Sequence, residues 1–272
     1  MSKMASWTGK LAALSVVTLL VGCASTQSPT GRSQMLLYSA EQMQQMGDSS
    51  FEEMKKQQKI STDKKLTAYV NCVAGRVTNA LENHSQTWDV VLFESEQINA
   101  FALPGGHIGV YTGLLKVANT PDQLATVLGH EVAHVLANHG NEQVSRAQLT
   151  GLGMQVADVA LGVSGVSNRD MYMAALGLGA QVGVLLPFGR AQESEADVVG
   201  LELMAKAGFD PAQSIVLWQN MAKAGGAQGP ELLSTHPSHS NRIADLQAGQ
   251  TQAQAIYAQR RSQVRNQCAK PN

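Results

Sequence analysis

Charge is scarce in this 272-residue chain: only 15% of its residues are charged, and 20 Lys and Arg stand against 21 Asp and Glu. No polybasic block breaks that balance, so the clustered cations that a nucleic-acid partner requires are missing. Cysteine is scarcer still. Three are present, too few for a small disulfide-framed scaffold, and none sits in a Cys-x-x-Cys or Cys/His cluster that would mark a structural zinc site. There is no internal repeat, and the two apolar runs, Leu11 to Gly22 and Met171 to Pro187, are each short for a bilayer span. What is there is 44% hydrophobic residues in a length that suits one large domain or two small ones.

The first apolar run follows Lys3 and Lys10 and ends at Leu20-Val21-Gly22-Cys23. A basic start and a short apolar core read as an export signal. The tetrapeptide resembles a bacterial lipobox, in which the Cys is lipidated and becomes the mature N-terminus; an ordinary cleaved signal with an incidental Cys is the alternative. Ala24 stands where the sorting rules of such lipoproteins place Asp in proteins kept at the inner membrane, which implies an outer-membrane anchor facing the periplasm. Residues 1–22 are then a signal peptide. Residues 23–39, polar with Pro29 and Gly31, read as a tether, and residues 40–272 as the folded domain. Removing residues 1–22 takes away Lys3 and Lys10 and no acid, which moves the balance from −1 to −3. With Cys23 lipidated, two thiols remain, Cys72 and Cys268. An isolated pair in an oxidising compartment tends towards a disulfide, with two separate buried thiols as the alternative.

Helical patterning runs from about Ala40 to Glu82, broken near Ser61-Thr62-Asp63. Short β-rich runs follow at Trp88 to Phe93, Ala100 to Leu103 and Ile108 to Tyr111, the last two joined by Pro104-Gly105-Gly106 as a hairpin. Thr120-Pro121-Asp122-Gln123 opens the best-marked helix, with Thr as N-cap, Pro at N1 and Gln at N3. Leu124, Leu128, Val132 and Val135 form its apolar stripe, and Gly140 is its predicted end. The uncharged stretch from Met171 to Pro187 is interrupted by Gly177, Gly179 and Gly183. It reads as a helical element beside the site or at the membrane surface, with a short transmembrane span as the alternative. A helix from about Arg190 to Ala207, closed by Gly208, precedes another opened by Asp210-Pro211. The tail from Ser240 is helical. The expected fold class is α+β, mostly helical, with a small β-sheet.

His130-Glu131-Val132-Ala133-His134 lies inside the Thr120 helix. Residues at i and i+4 stack on one face, so both imidazoles can meet one metal ion, while Glu131 is turned about 100° away and reaches a metal-bound water. A catalytic zinc also needs a third protein ligand. Glu193 and Asp197 share a face of the next marked helix, with Glu195 on the opposite side. Glu193 suits the metal and Asp197 suits the far nitrogen of a liganding His; a solvated acidic face is the plainer reading of the same residues. His139, five residues beyond His134, reads as turned away from both ligands and placed to meet the helix C-terminal dipole.

These motifs, with Asn99-Ala100-Phe101-Ala102-Leu103-Pro104-Gly105-Gly106 upstream and Ser234-Thr235-His236-Pro237 and Arg242 downstream, resemble the Ste24/HtpX-type zinc metallopeptidases, which are gluzincins. The lipobox and the Thr30-Gly31-Arg32 segment are most similar to the periplasmic lipoproteins of that family. The resemblance implies a zincin-type fold, one Zn2+ on His130, His134 and Glu193, and Glu131 as general base. It aims His236 at the site, where it either stabilises the oxyanion or takes the open zinc position as a fourth ligand. Arg242 meets either developing negative charge or a structural partner. The implied substrate is an extended polypeptide added as a strand along Asn99, Ala100, Phe101 and Ala102. Three functions fit: a zinc endopeptidase acting on misfolded or extended envelope proteins, an envelope chaperone or assembly lipoprotein with a latent zinc site and other envelope proteins as partners, and a zinc hydrolase of peptidoglycan peptides.

Overall fold

The computed structural model describes residues 25–82, 87–163, 189–224, 232, 236, 242–263 and 268–271. The signal segment, Cys23, the stretch from Met171 to Pro187, His84 and His239 lie outside the described residues.

Helical patterning after Ala40 divides where the polar break was read. Helix α1 spans Ala40–Gln57, opened by reciprocal hydrogen bonds between Ser39 and Gln42. Helix α2 spans Lys64–Asn79, and the Asp63 carboxylate caps it by accepting from the backbone of Lys65 and Leu66. Strands β3 (Asp89–Phe93), β4 (Ala100–Leu103) and β5 (His107–Tyr111) form a sheet in the order β3-β5-β4. The β4–β5 pair is the expected antiparallel hairpin, and β3 runs parallel to β5. Gly105 and Gly106 turn it with φ of 96° and 86°, where a side chain would be strained. Across it, Phe101 faces Gly109 and its ring fills the space a Cβ there would take. The outer edge of β3 is covered by residues 59–61, through Ser61 N to Leu92 O and Glu94 N to Lys59 O. Strand β4 carries the edge without a strand partner among the described residues.

After a 3-10 turn at Thr112–Lys116 comes α3, Pro121–Leu136. Thr120 caps it by accepting from Gln123 N, while the Gln123 side chain reaches Asn119 N rather than the cap itself. An apolar stripe was expected, but every residue from Gln123 to His134 is buried. The helix is central, enclosed by β4, α2, α5 (Arg190–Lys206) and α6 (Gln213–Ala224). Its end corrects the expectation at Gly140: it stops at Leu136, because Asn138 adopts φ 54° and turns the chain. Asn tolerates that left-handed state better than most residues. Helix α4, His139–Val163, starts at once.

Helix α7 (Arg242–Arg260) lies across α5 and α6. Beyond it, Cys268 is disulfide-bonded to Cys72 of α2, with a Cα–Cα distance of 5.7 Å. At the other end, β1 (Ser25–Gln27) and β2 (Ser33–Met35) pair as an antiparallel hairpin. Composition reads this stretch as a tether, yet it is stitched to the end of α3 and to α4: the Gln34 side chain donates to Ala137 O at 2.6 Å, and Leu37 N donates to Ser145 Oγ at 2.8 Å.

Candidate metal centre

Two glycines bring the site together. Helices α3 and α5 cross where Gly129 meets Gly200, so close that a Cβ on Gly129 would lie 2.8 Å from Gly200 O. That approach carries Glu193 and Asp197 to His130 and His134. His236 arrives from the far side, its backbone N–H bonded to Leu232 O.

His130, His134, Glu193 and His236 converge, all buried, with one potential ligand atom from each lying within 4.8 Å of the others. The Nε2 atoms of His130 and His134 are 3.1 Å apart. Glu193 Oε2 is 3.4 Å from His130 Nε2, and Glu193 Oε1 is 3.4 Å from His134 Nε2 and 3.0 Å from His236 Nδ1. Imidazoles and a carboxylate are the donor set zinc takes at catalytic sites. Burial alone would raise the Glu193 carboxyl, but hydrogen bonds with His130 and His236 hold it well below the usual carboxylate range. His134 is held well below its ordinary value by burial, then by His130 and His236, so it stays neutral as a metal ligand must. Burial and Arg242 oppose charge on His130, yet Asp197 and Glu193 outweigh them and push it up to about 9. Those carboxylates favour positive charge at this point, from a proton or a divalent metal alike.

Glu131 lies beside this group. Its Oε1 is buried without a hydrogen-bond partner, and His236 Nε2 is 3.6 Å away. Burial, against the pull of His236 and His130, holds its carboxyl above the usual range. A buried carboxylate oxygen without a hydrogen bond is costly, and here it points to a polar species belonging at the site.

Asp197 Oδ1 is 2.9 Å from His130 Nδ1, the partner position read from the sequence. Arg242 is 2% exposed; it donates to Glu193 Oε2 at 3.1 Å and Asp197 Oδ1 at 2.6 Å, and its guanidinium lies 3.6 Å from the centre of the Trp218 ring. Of the two roles open to it, this geometry favours the structural ion pair. Strand β4 flanks a cleft of about 560 Å3 lined by Ala102 and Leu103 together with Met43, Gln44, His134 and Val135. Asn99, Ala100 and Phe101 lie outside that lining. Ala100 is 1% exposed and faces the core, and Phe101 joins the Phe51–Phe93–Tyr111 aromatic cluster.

His139 corrects the sequence reading. It does not extend α3 towards its dipole; the turn at Asn138 swings it back, fully buried, with Nδ1 2.9 Å from His134 Nδ1. Its Nε2 lies 3.1 Å from Glu195 Oε2. Glu195, on the opposite side of α5 from Glu193 as read from the sequence, is also buried: it is 4% exposed and accepts from Thr30 and Arg32 of the N-terminal hairpin.

A buried helix with two histidines one turn apart, a glutamate between them and a carboxylate from a crossing helix is the construction of a gluzincin metallopeptidase centre. Comparison with known sequences carries this to a family. The chain belongs to peptidase family M48, whose profile matches residues 64–250. Members of this family are zinc-dependent metallopeptidases, and the four converging donors suit one ion. The chain is 35% identical over 190 residues to mitochondrial metalloendopeptidase OMA1 of Schizosaccharomyces pombe, covering 69% of this chain and 54% of that protein. It is 37% identical to the Danio rerio metalloendopeptidase OMA1, over 81% of this chain and 49% of the relative. With the beta-barrel assembly-enhancing protease of Yersinia pestis it shares 30% identity over 76% of this chain and 43% of the relative. The chain thus spans about half the length of the curated relatives it matches.

Proposed function

We propose that this chain is a zinc-dependent endopeptidase of the bacterial cell envelope, cleaving misfolded or extended periplasmic and outer-membrane polypeptides. The observation that carries this reading is the buried Oε1 of Glu131, without a hydrogen-bond partner, beside four converging metal donors. His130, His134 and Glu193 hold the zinc, which when bound polarises a carbonyl and lowers the pKa of water. Glu131 accepts a proton at its free oxygen and returns it to the leaving amine. Its raised pKa suits that exchange, since an acid–base group works best near the operating pH. Asp197 orients His130, and Arg242 fixes both acidic partners while stacked on Trp218. His236, within hydrogen-bond distance of Glu193 and His130, would serve as a fourth donor to the ion and so keep the resting enzyme latent.

The substrate lies along the free edge of β4 in the adjacent cleft, paired main chain to main chain. That mode suits an extended polypeptide with weak side-chain selectivity. The envelope location rests on the lipobox at Cys23, with its implied outer-membrane anchor, and on the likeness to a beta-barrel assembly-enhancing protease. A general base placed as Glu131 is has no use in a chaperone with a structural zinc, which favours turnover. The strand edge favours protein over peptidoglycan peptides.

The test is zinc content and casein cleavage by the soluble mature protein beside Glu131→Gln. Zinc retained by both, with cleavage only by the wild type, is the expected result. Zinc in both and cleavage in neither, with His236→Ala equally inactive, would sink the protease reading and leave the chaperone.

A further inference from the structure

The two motif histidines point the same atom, Nε2, at the donor set, which leaves each Nδ1 to another partner. For His130 that partner is the carboxylate of Asp197. For His134 it is a second imidazole, His139, at 2.9 Å. Building on the reading of His134 as a zinc ligand, we propose that His139 and Glu195 are positioning residues that set its tautomer, held in place by the N-terminal hairpin.

Two ring nitrogens at that separation share one proton, so one must donate and the other accept. Glu195 decides which. Its Oε1 accepts from Thr30 N at 3.2 Å and Thr30 Oγ1 at 2.6 Å, and its Oε2 from Arg32 Nε at 3.0 Å. A carboxylate surrounded by donors acts as an acceptor, so the His139 proton sits on Nε2, 3.1 Å from Glu195 Oε2. His139 Nδ1 is then the acceptor and His134 Nδ1 carries the N–H. The lone pair of His134 Nε2 is thereby directed into the donor set, the form a metal ligand requires. His130 receives the same instruction from Asp197 in one step; His134 receives it in two.

The hairpin enters through Arg32. Beyond its bond to Glu195 on α5, its two terminal nitrogens donate at 2.8 and 2.7 Å to the two oxygens of Glu142 on α4. One arginine thus ties the helix that carries His139 to the helix that carries Glu195, 163 residues away from it in sequence. His139 is 0% exposed and Glu195 4%, so water cannot replace either partner.

Zn2+ affinity, read by competition with a chromophoric chelator, tests this without relying on activity, and the visible spectrum of the Co2+-substituted protein reports ligand geometry. His139→Phe is expected to weaken Zn2+ binding about 10- to 100-fold, the usual effect of removing such a partner. The Co2+ bands should shift, and kcat should fall with KM unchanged. His139→Asn, whose Oδ1 can accept from His134, should recover part of the affinity. Glu195→Gln should fall between, because its amide can donate to His139 Nε2 and release the opposite tautomer. Unchanged Zn2+ affinity and an unchanged Co2+ spectrum in His139→Phe, with only the melting temperature lowered, would overturn the proposal. If that variant does not fold, the isosteric Glu195→Gln takes its place under the same criterion. A wild-type chain that binds no Zn2+, or a His134→Ala variant that binds it as well as wild type, would instead remove the metal reading on which the proposal stands.

Discussion

Gly200 rests against the backbone of His130 so closely that a Cβ on it would lie 2.8 Å from the His130 nitrogen. The two helices carrying three of the four donors have no side chain between them at this point, and that contact fixes the separation of His130 from Glu193 and Asp197.

Gly200→Ala should therefore cost about 1–3 kcal/mol of stability, the range for overpacking a close-packed contact, and weaken Zn2+ binding as well. Gly75→Ala is the control: nothing lies within 4 Å of a Cβ there, and the reduced freedom of the unfolded chain should raise stability by about 0.4–1 kcal/mol. Urea midpoints measure both. Equal behaviour of the two variants would show that the helix crossing is not the constraint.

His236→Ala should raise casein cleavage per bound zinc while loosening zinc itself, since His236 stands with the other three donors. A fall in kcat with zinc retained would assign it to the oxyanion instead, and unchanged cleavage would remove the latent state.

Replacing Cys72 and Cys268 by Ser should lower stability by about 2–5 kcal/mol; the loop-entropy relation gives about 5 kcal/mol for a loop this long, and the pair is 196 residues apart. Dithiothreitol should bring the wild type to the level of the double variant. A urea midpoint indifferent to reductant would contradict the bond.

The Arg32 clamp should be sensitive to acid. Burial raises the Glu142 and Glu195 carboxyls, but Arg32 and Gln192 on the first, and Ser28, Thr30 and His139 on the second, outweigh it, leaving Glu195 at about 2. Both folded values lie below the ordinary 4.5, so the stabilisation is complete above that pH and is lost as pH falls through the folded values. The stability gap between wild type and Arg32→Met should be constant near neutrality and close below pH 4.5. A gap that widens with acid would contradict the assignment.

The helix of the two motif histidines is readable because its signals are local: a Thr-Pro start and an i, i+4 pair of histidines, matched by a carboxylate pair of the same spacing on α5. The hairpin was readable from Pro104-Gly105-Gly106. Spacing misplaces His139 because it projects the position along a helix that ends at Leu136; Asn138, a residue suited to positive φ, is the local clue to the turn. Glu195 was assigned to the opposite face from Glu193, which is correct round the helix axis, yet both faces of α5 are covered. The bond from Arg32 to Glu195 joins residues too far apart for any spacing rule, and nothing in composition separates a polar tether from a polar hairpin pinned at its turn.

The same hairpin shortens the segment that reads from the sequence as a tether. If Cys23 carries lipid, a tether to residue 39 could extend by roughly 50 Å at about 3.4 Å per residue. The chain is instead captured at Ser28, which is 6% exposed and bonded to Glu195 and Arg32. Four residues, 24 to 27, then lie between Cys23 and Ser28, a leash of at most roughly 17 Å. With that anchor in place, the metal centre would be held within the layer next to the bilayer.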